Sequence, residues 1–137
     1  MIDSESNPSA LEFALSNSRS PDGLTRDAAI YELANFVQEG SAVRRLHEML
    51  DDEIVTMQVD AADVLARLGG VKGLFIVLDE IGRRRDDPDA DYIANRLYEL
   101  DASGDVEILE IIEPVVGQLS GNGAVGFRQL KMLRGRE

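Results

Sequence analysis

Leu33, Leu65 and Leu97 stand 32 residues apart, and their surroundings keep the same spacing. Ala29 aligns with Ala61 and Ile93, Ile30 with Ala62 and Ala94, Ala34 with Ala66, and Phe36 with Leu68 and Leu100. The offset carries on into the next segment, where Ala42, Val43, Leu46 and Met49 fall on Leu74, Phe75, Leu78 and Ile81, and Glu48 on Glu80. A constant period over two consecutive segments marks a repeat architecture. In such folds each unit buries its apolar face only against its neighbours.

Within each copy the period is that of helices. Ala29, Ile30, Leu33, Ala34 and Val37 form the stripe of an amphipathic helix. Gly40 supplies a stop, Ser41 an N-cap, and Val43, Leu46, Met49 and Leu50 the buried stripe of a second helix closed by Asp51 and Asp52. The second copy runs from about Ile54 to Leu68, breaks at Gly69-Gly70, and resumes to about Arg85, where Asp86-Asp87-Pro88 ends it. Pro88 suits the first turn of the next helix. The third copy covers Ala90–Leu100, a DASGD turn, and Val106 to about Leu119, with Pro114 expected to kink it. VEILEII (106–112) is also rich enough in β-branched residues for a strand, although length and repeat context favour helix. The expected units are pairs over about 24–52, 53–87 and 88–119, and a terminal helix over 122–135. A short helix over Ser9–Ser18 precedes them, after a flexible N-terminus at residues 1–8, so that 9–137 is one domain.

The strings RDAAIYELANFVQEGSAVRRLHEMLDD and VDAADVLARLGGVKGLFIVLDE resemble HEAT-type helical repeats, closely over about residues 24–83 and weakly over 90–119. The resemblance implies an all-α, HEAT-like α-solenoid of about three antiparallel helix pairs with N- and C-terminal flanking helices. It also implies a scaffold that binds macromolecules along a concave face built by the second helices. One departure stands out: such repeats often carry a basic residue early in the first helix, which Arg26 supplies in the first copy, whereas the second copy has Gln58.

Composition narrows the function. With 26 acidic and 14 basic residues the net charge is −12, the opposite of what phosphate neutralisation requires, so nucleic acid is not an expected partner. There is no cysteine for a disulfide, a thiolate metal site or a cysteine nucleophile. No apolar run reaches the roughly 18 residues that span a bilayer, and MIDSESNPS lacks the basic-then-apolar pattern of a signal peptide. A cytoplasmic protein without membrane association is expected.

Three features resemble sites of chemistry. His47, the only histidine, sits between Arg45 and Glu48 with no G-x-S-x-G or other nucleophile motif to serve. Asp87, Asp89 and Asp91 open like a calcium loop, but the positions needing Gly and Glu are Tyr92 and Tyr98, so a helix cap is the better reading. Gly121-Asn-Gly123-Ala-Val-Gly126 matches a dinucleotide fingerprint in letters only. No strand precedes it and no acidic residue follows at the required distance, which leaves a flexible turn. No enzyme, metal or cofactor is expected.

Charge is unevenly spread. Between Leu97 and Phe127 there is no Lys or Arg, while Glu99, Asp101, Asp105, Glu107, Glu110 and Glu113 are all acidic. Arg128, Lys131, Arg134 and Arg136 follow, and a basic terminal helix packed beside the acidic segment would offset part of it. Leu74-Phe75-Ile76-Val77-Leu78 is apolar on every face and must be covered by the third pair, the terminal helix or a partner. These features suggest a non-catalytic module, monomeric when free, that binds a basic protein. In size and charge the chain is similar to small acidic bacterial immunity proteins, some of them HEAT-like. That likeness implies a toxin inhibitor, for example of a nuclease, whose carboxylates stand in for phosphates. The expected contacts are Glu48, Asp79, Glu80, Glu107, Glu110 and Glu113, with Arg45 and Arg83 as counter-pairs. The alternative is an adaptor or assembly subunit that uses an apolar patch such as Ile76 and Val77. HEAT-like DNA glycosylases are an enzymatic precedent, but they resemble basic proteins with a positive groove.

Overall fold

A computed structural model describes the backbone of residues 2–136 and the side chains of residues 10–136. The described residues form α-helices and short 3-10 segments, with no strand among them. The helices are α1 (Ile2–Asn17), α2 (Gly23–Leu33), α3 (Gly40–Met49), α4 (Val55–Leu68), α5 (Gly70–Arg83), α6 (Ala90–Ser103), α7 (Ile108–Ile112) and α8 (Gly121–Leu133). Short 3-10 turns follow α2 (Ala34–Phe36) and α7 (Glu113–Gln118). None of the described helices is long and apolar enough to cross a membrane.

The 32-residue period reappears as the core. Leu33, Leu65 and Leu97 are fully buried, as are Ala29, Ala61 and Ile93 from the first helices and Leu46 and Leu78 from the second. One continuous cluster runs from Ala14 to Leu130. Each large aliphatic side chain in it contributes roughly 1.5–3 kcal/mol through burial.

Helix ends depart from expectation where backbone geometry overrides side-chain chemistry. Ser41 does not cap α3. The helix begins one residue earlier, after Glu39 in extended geometry, whose carbonyl accepts from the Ala42 and Val43 amides. The first helix begins at Ile2 rather than Ser9; the flexibility expected of residues 1–8 concerns side chains outside the described ones. The helix expected over 106–119 is α-helical only from Ile108 to Ile112. Pro114 has no amide to donate to the Glu110 carbonyl, and Val115 leaves the helical region, so the rest winds as 3-10 turns. VEILEII thus contributes a helix, not a strand. Helix α6 extends to Ser103 and ends on Gly104, whose φ of 82° places it in the left-handed region.

The glycines of the supposed fingerprint sit inside a helix rather than a turn. Ser120 caps α8 by accepting from the Gly123 amide at 2.9 Å, and its hydroxyl donates to Asp79 at 2.6 Å. Helix α8 lies against α5 at backbone range: a Cβ on Gly126 would overlap the Leu78 carbonyl, and one on Gly82 the Asn122 carbonyl. This contact settles what covers the apolar run of α5. Val77 and Leu78 are fully buried, Leu74 nearly so, and Phe75 and Ile76 pack on the core as partly buried residues.

A buried polar link also recurs between the copies, with roles exchanged. In the first, the Arg26 guanidinium donates to the Asp52 carboxylate at 3.0 and 3.3 Å. One repeat further on the pair is Gln58 and Arg84, with the Arg84 guanidinium donating to the Gln58 side-chain oxygen at 3.1 Å. The absent basic residue at 58 is therefore made good from the position equivalent to Asp52. Arg84 also donates to the Leu50 carbonyl at 2.8 Å, to Glu80 at 3.2 Å and to Asp87 at 3.0 Å. Asp87 in turn accepts from the Asp89 amide at 2.9 Å, the local turn that leads into α6.

Candidate functional site

Several of the expected contact residues are engaged within the molecule. Glu80 is only 2% exposed and lies between two guanidiniums, Arg83 at 2.6 Å and Arg84 at 3.2 Å. Burial pushes its carboxyl above the usual range, and Arg83 pulls it back. A residue so enclosed offers nothing to a partner, and its place among the contacts is corrected. Arg83 is shared between Glu80 and Asp51. Glu48 accepts from Arg45 at 3.1 Å and Arg19 at 3.3 Å, which hold its carboxyl below the ordinary value. Arg45 also donates to the Ser18 hydroxyl and carbonyl at 2.8 Å, closing the end of α1. Asp79 is tied to Ser120.

Glu107, Glu110 and Glu113 do lie exposed on and beside α7. The neighbouring Glu110 raises the Glu107 carboxyl above its usual value. Basic residues of the C-terminal segment stand close by. Lys131 and Arg136 line a cleft of about 300 Å³ with Glu110 and Glu113, and Arg134 pairs with the buried Asp101 at 2.7 Å. Asp101 also accepts from the Leu109 amide at 3.1 Å and so caps α7. The basic end of the chain therefore offsets the acidic third unit. Ile76 and Val77 form no exposed patch, because α5 is covered from within the chain.

A second group of acids without ion pairs is gathered in a groove across the N-terminal ends of α2, α4 and α6. Asp22 caps α2, accepting from the Thr25 amide at 3.0 Å and the Thr25 hydroxyl at 2.6 Å, and these bonds hold its carboxyl below the usual value. Asp27 on α2 faces Asp60 on α4. Burial first, and the adjoining Asp27 carboxyl second, raise Asp60 from 3.8 to about 6. Tyr31 stands beside them, its hydroxyl pushed up to about 12 by burial and by Asp60. Among the described residues, no cationic nitrogen lies within 4.0 Å of Asp22, Asp27, Asp60 or Asp89. Asp63, one turn after Asp60, is neutralised by Arg96 at 2.8 Å and Arg67 at 3.0 Å.

The acids border two adjoining hollows of about 410 and 450 Å³ that share Thr56 and Asp60. Val55, Val59 and Tyr92 line the first, and Leu24 and Met57 the second. No three His, Cys, Asp or Glu side chains converge on a metal-sized space among the described residues. The sequence signal for this groove was available but diluted. Asp27 and Asp60 are 33 residues apart, one off the repeat, so the period does not align them.

The Asp27–Asp60 arrangement has a measurable consequence. The folded chain holds a proton on Asp60 that the unfolded chain releases near 3.8, so stability falls as pH rises from about 4 through about 6. Asp60→Asn removes that penalty. With solvent screening discounted, it should stabilise the fold by about 1 kcal/mol above pH 6 and have no effect below pH 4. Urea titrations at pH 4 and pH 7.5 give the comparison, and an equal effect at both pH values would contradict the assignment.

Comparison with known proteins finds no counterpart, since no family model, no curated protein and no solved structure matches this chain.

Proposed function

We propose that this chain is a HEAT-like α-solenoid of three antiparallel helix pairs with flanking helices, and that it acts without catalysis by binding a basic protein. The helix boundaries, the buried leucines at the repeat spacing and the recurring Arg26–Asp52 and Arg84–Gln58 links support the first part. One observation supports the second: Asp22, Asp27, Asp60 and Asp89 border one groove, and among the described residues none of them has an ion-pair partner. Such a patch focuses negative potential and speeds encounter with a positive surface, often by tenfold or more at low salt.

The form of the reading favoured here is an immunity or inhibitor protein that is monomeric when free and cytoplasmic. It would occlude the cationic active site of a toxin such as a nuclease, with carboxylates taking the places of phosphates. Binding alone suffices for that role, and no nucleophile, metal or cofactor enters it.

The test is capture at low salt on the immobilised chain from a lysate of its source organism, followed by elution in salt steps. The captured protein is then assayed for nuclease activity with and without the chain. A basic protein released by salt, and silenced by one equivalent of the chain, is the expected result. A salt-resistant neutral partner, or a basic one whose activity is untouched, would contradict the inhibitor reading.

A further inference from the structure

The groove across α2, α4 and α6 is chemically divided. Its larger apolar surface is around Val55, Val59 and Tyr92, with Tyr92 58% exposed, and its acids gather around Asp22, Asp27 and Asp60 next to Leu24, which is 83% exposed. Three helix N-termini meet here, and each carries roughly half a positive charge. Together they amount to about 1.5 charges against the four carboxylates of Asp22, Asp27, Asp60 and Asp89, so the groove stays negative.

Charge and shape together select the occupant. An anionic ligand would be repelled, and so would a second copy of a chain with net charge −12. A wholly apolar segment would strip water from the carboxylates without replacing it, which is costly. We infer that the groove takes an amphipathic protein segment, with an arginine or lysine among Asp22, Asp27 and Asp60 and an adjoining leucine-like side chain against Val55, Val59 and Tyr92. This rests on the binding-module reading above and assigns it a place and a recognition pattern. The partner's cation would lie between the Asp27 and Asp60 carboxylates and relieve their repulsion, and Tyr92 would close over the apolar neighbour.

A fluorescently labelled amphipathic helical peptide of leucine and arginine is the probe, titrated at pH 7.5 against the intact chain and three variants. Asp27→Asn with Asp60→Asn removes the charge and relieves repulsion in the free protein, so the variant folds. Tyr92→Ala alters an exposed side chain. Glu110→Gln with Glu113→Gln changes the other acidic site. The expected result is binding weakened roughly tenfold by each groove variant and changed less than about twofold by the α7 variant. Exchanging the arginines of the peptide for glutamine should weaken it similarly. Binding that the groove variants leave intact and the α7 variant abolishes would overturn the groove while sparing the broader reading. Failure of the wild-type chain to bind the peptide would also overturn the groove, and the lysate capture would then decide the broader reading separately.

Discussion

Gly82→Ala is expected to destabilise the protein by roughly 3 kcal/mol, far more than one methyl group suggests. The new Cβ would overlap the Asn122 carbonyl oxygen, a backbone atom at the start of α8 that cannot rotate away. Relief requires α5 and α8 to separate. Separation opens gaps along the whole contact, including Phe127 and Leu130 against the α5 core residues. Against a total of roughly 5–15 kcal/mol for a domain, that loss is a large fraction. Gly126→Ala should behave alike, since its Cβ would overlap the Leu78 carbonyl from the other helix. Gly121→Ala is the control: nothing lies within 4 Å of its Cβ position and its φ is not positive, so the change should be neutral or slightly stabilising. Urea denaturation followed by circular dichroism measures all three. A Gly82→Ala cost below about 0.5 kcal/mol would show that the two helices are not in backbone contact.

Arg84→Ala should cost about 3–5 kcal/mol, the largest effect expected of any polar residue in the chain. Its guanidinium, with the side chain only 9% exposed, joins the Leu50 carbonyl, Gln58, Glu80 and Asp87. Truncation leaves the Gln58 side-chain oxygen unpartnered and Glu80 reliant on Arg83 alone. Because Glu80 is buried, the cost is mostly that of an under-compensated carboxylate rather than of a lost attraction. Arg84→Lys should recover only part of it, because a single ammonium cannot reach four acceptors arranged around a planar fork. Introducing Glu80→Gln beside Arg84→Ala should recover more, since it removes the stranded charge. A loss below about 1 kcal/mol for Arg84→Ala, or no recovery in the double variant, would contradict the link.

The helices and their core were legible because the repeat constrains many residues at once. Leu33, Leu65 and Leu97 identified the buried faces, and Gly69, Pro114 and Asp51-Asp52 marked breaks by their own backbone chemistry. What sequence alone did not reveal depends on partners distant in the chain. Glu80 reads as another surface acid until Arg83 and Arg84 are seen to enclose it. The glycines at 123 and 126 read as a turn because glycine favours turns, whereas their use here is to admit the backbone of α5. Ser41 was outweighed as a cap by the extended backbone at Glu39. The groove acids were hidden by abundance: among 26 acidic residues, the four that share a groove without an ion-pair partner are brought together only by the fold.

The most direct test of the proposed role is the affinity of the captured basic partner for the wild-type chain and the Asp27→Asn, Asp60→Asn variant between about 50 and 500 mM salt. Binding through the uncompensated carboxylates predicts that wild-type affinity falls steeply across this range and that the variant starts weaker and falls less. Affinity that is flat with salt and identical in the two proteins would contradict it.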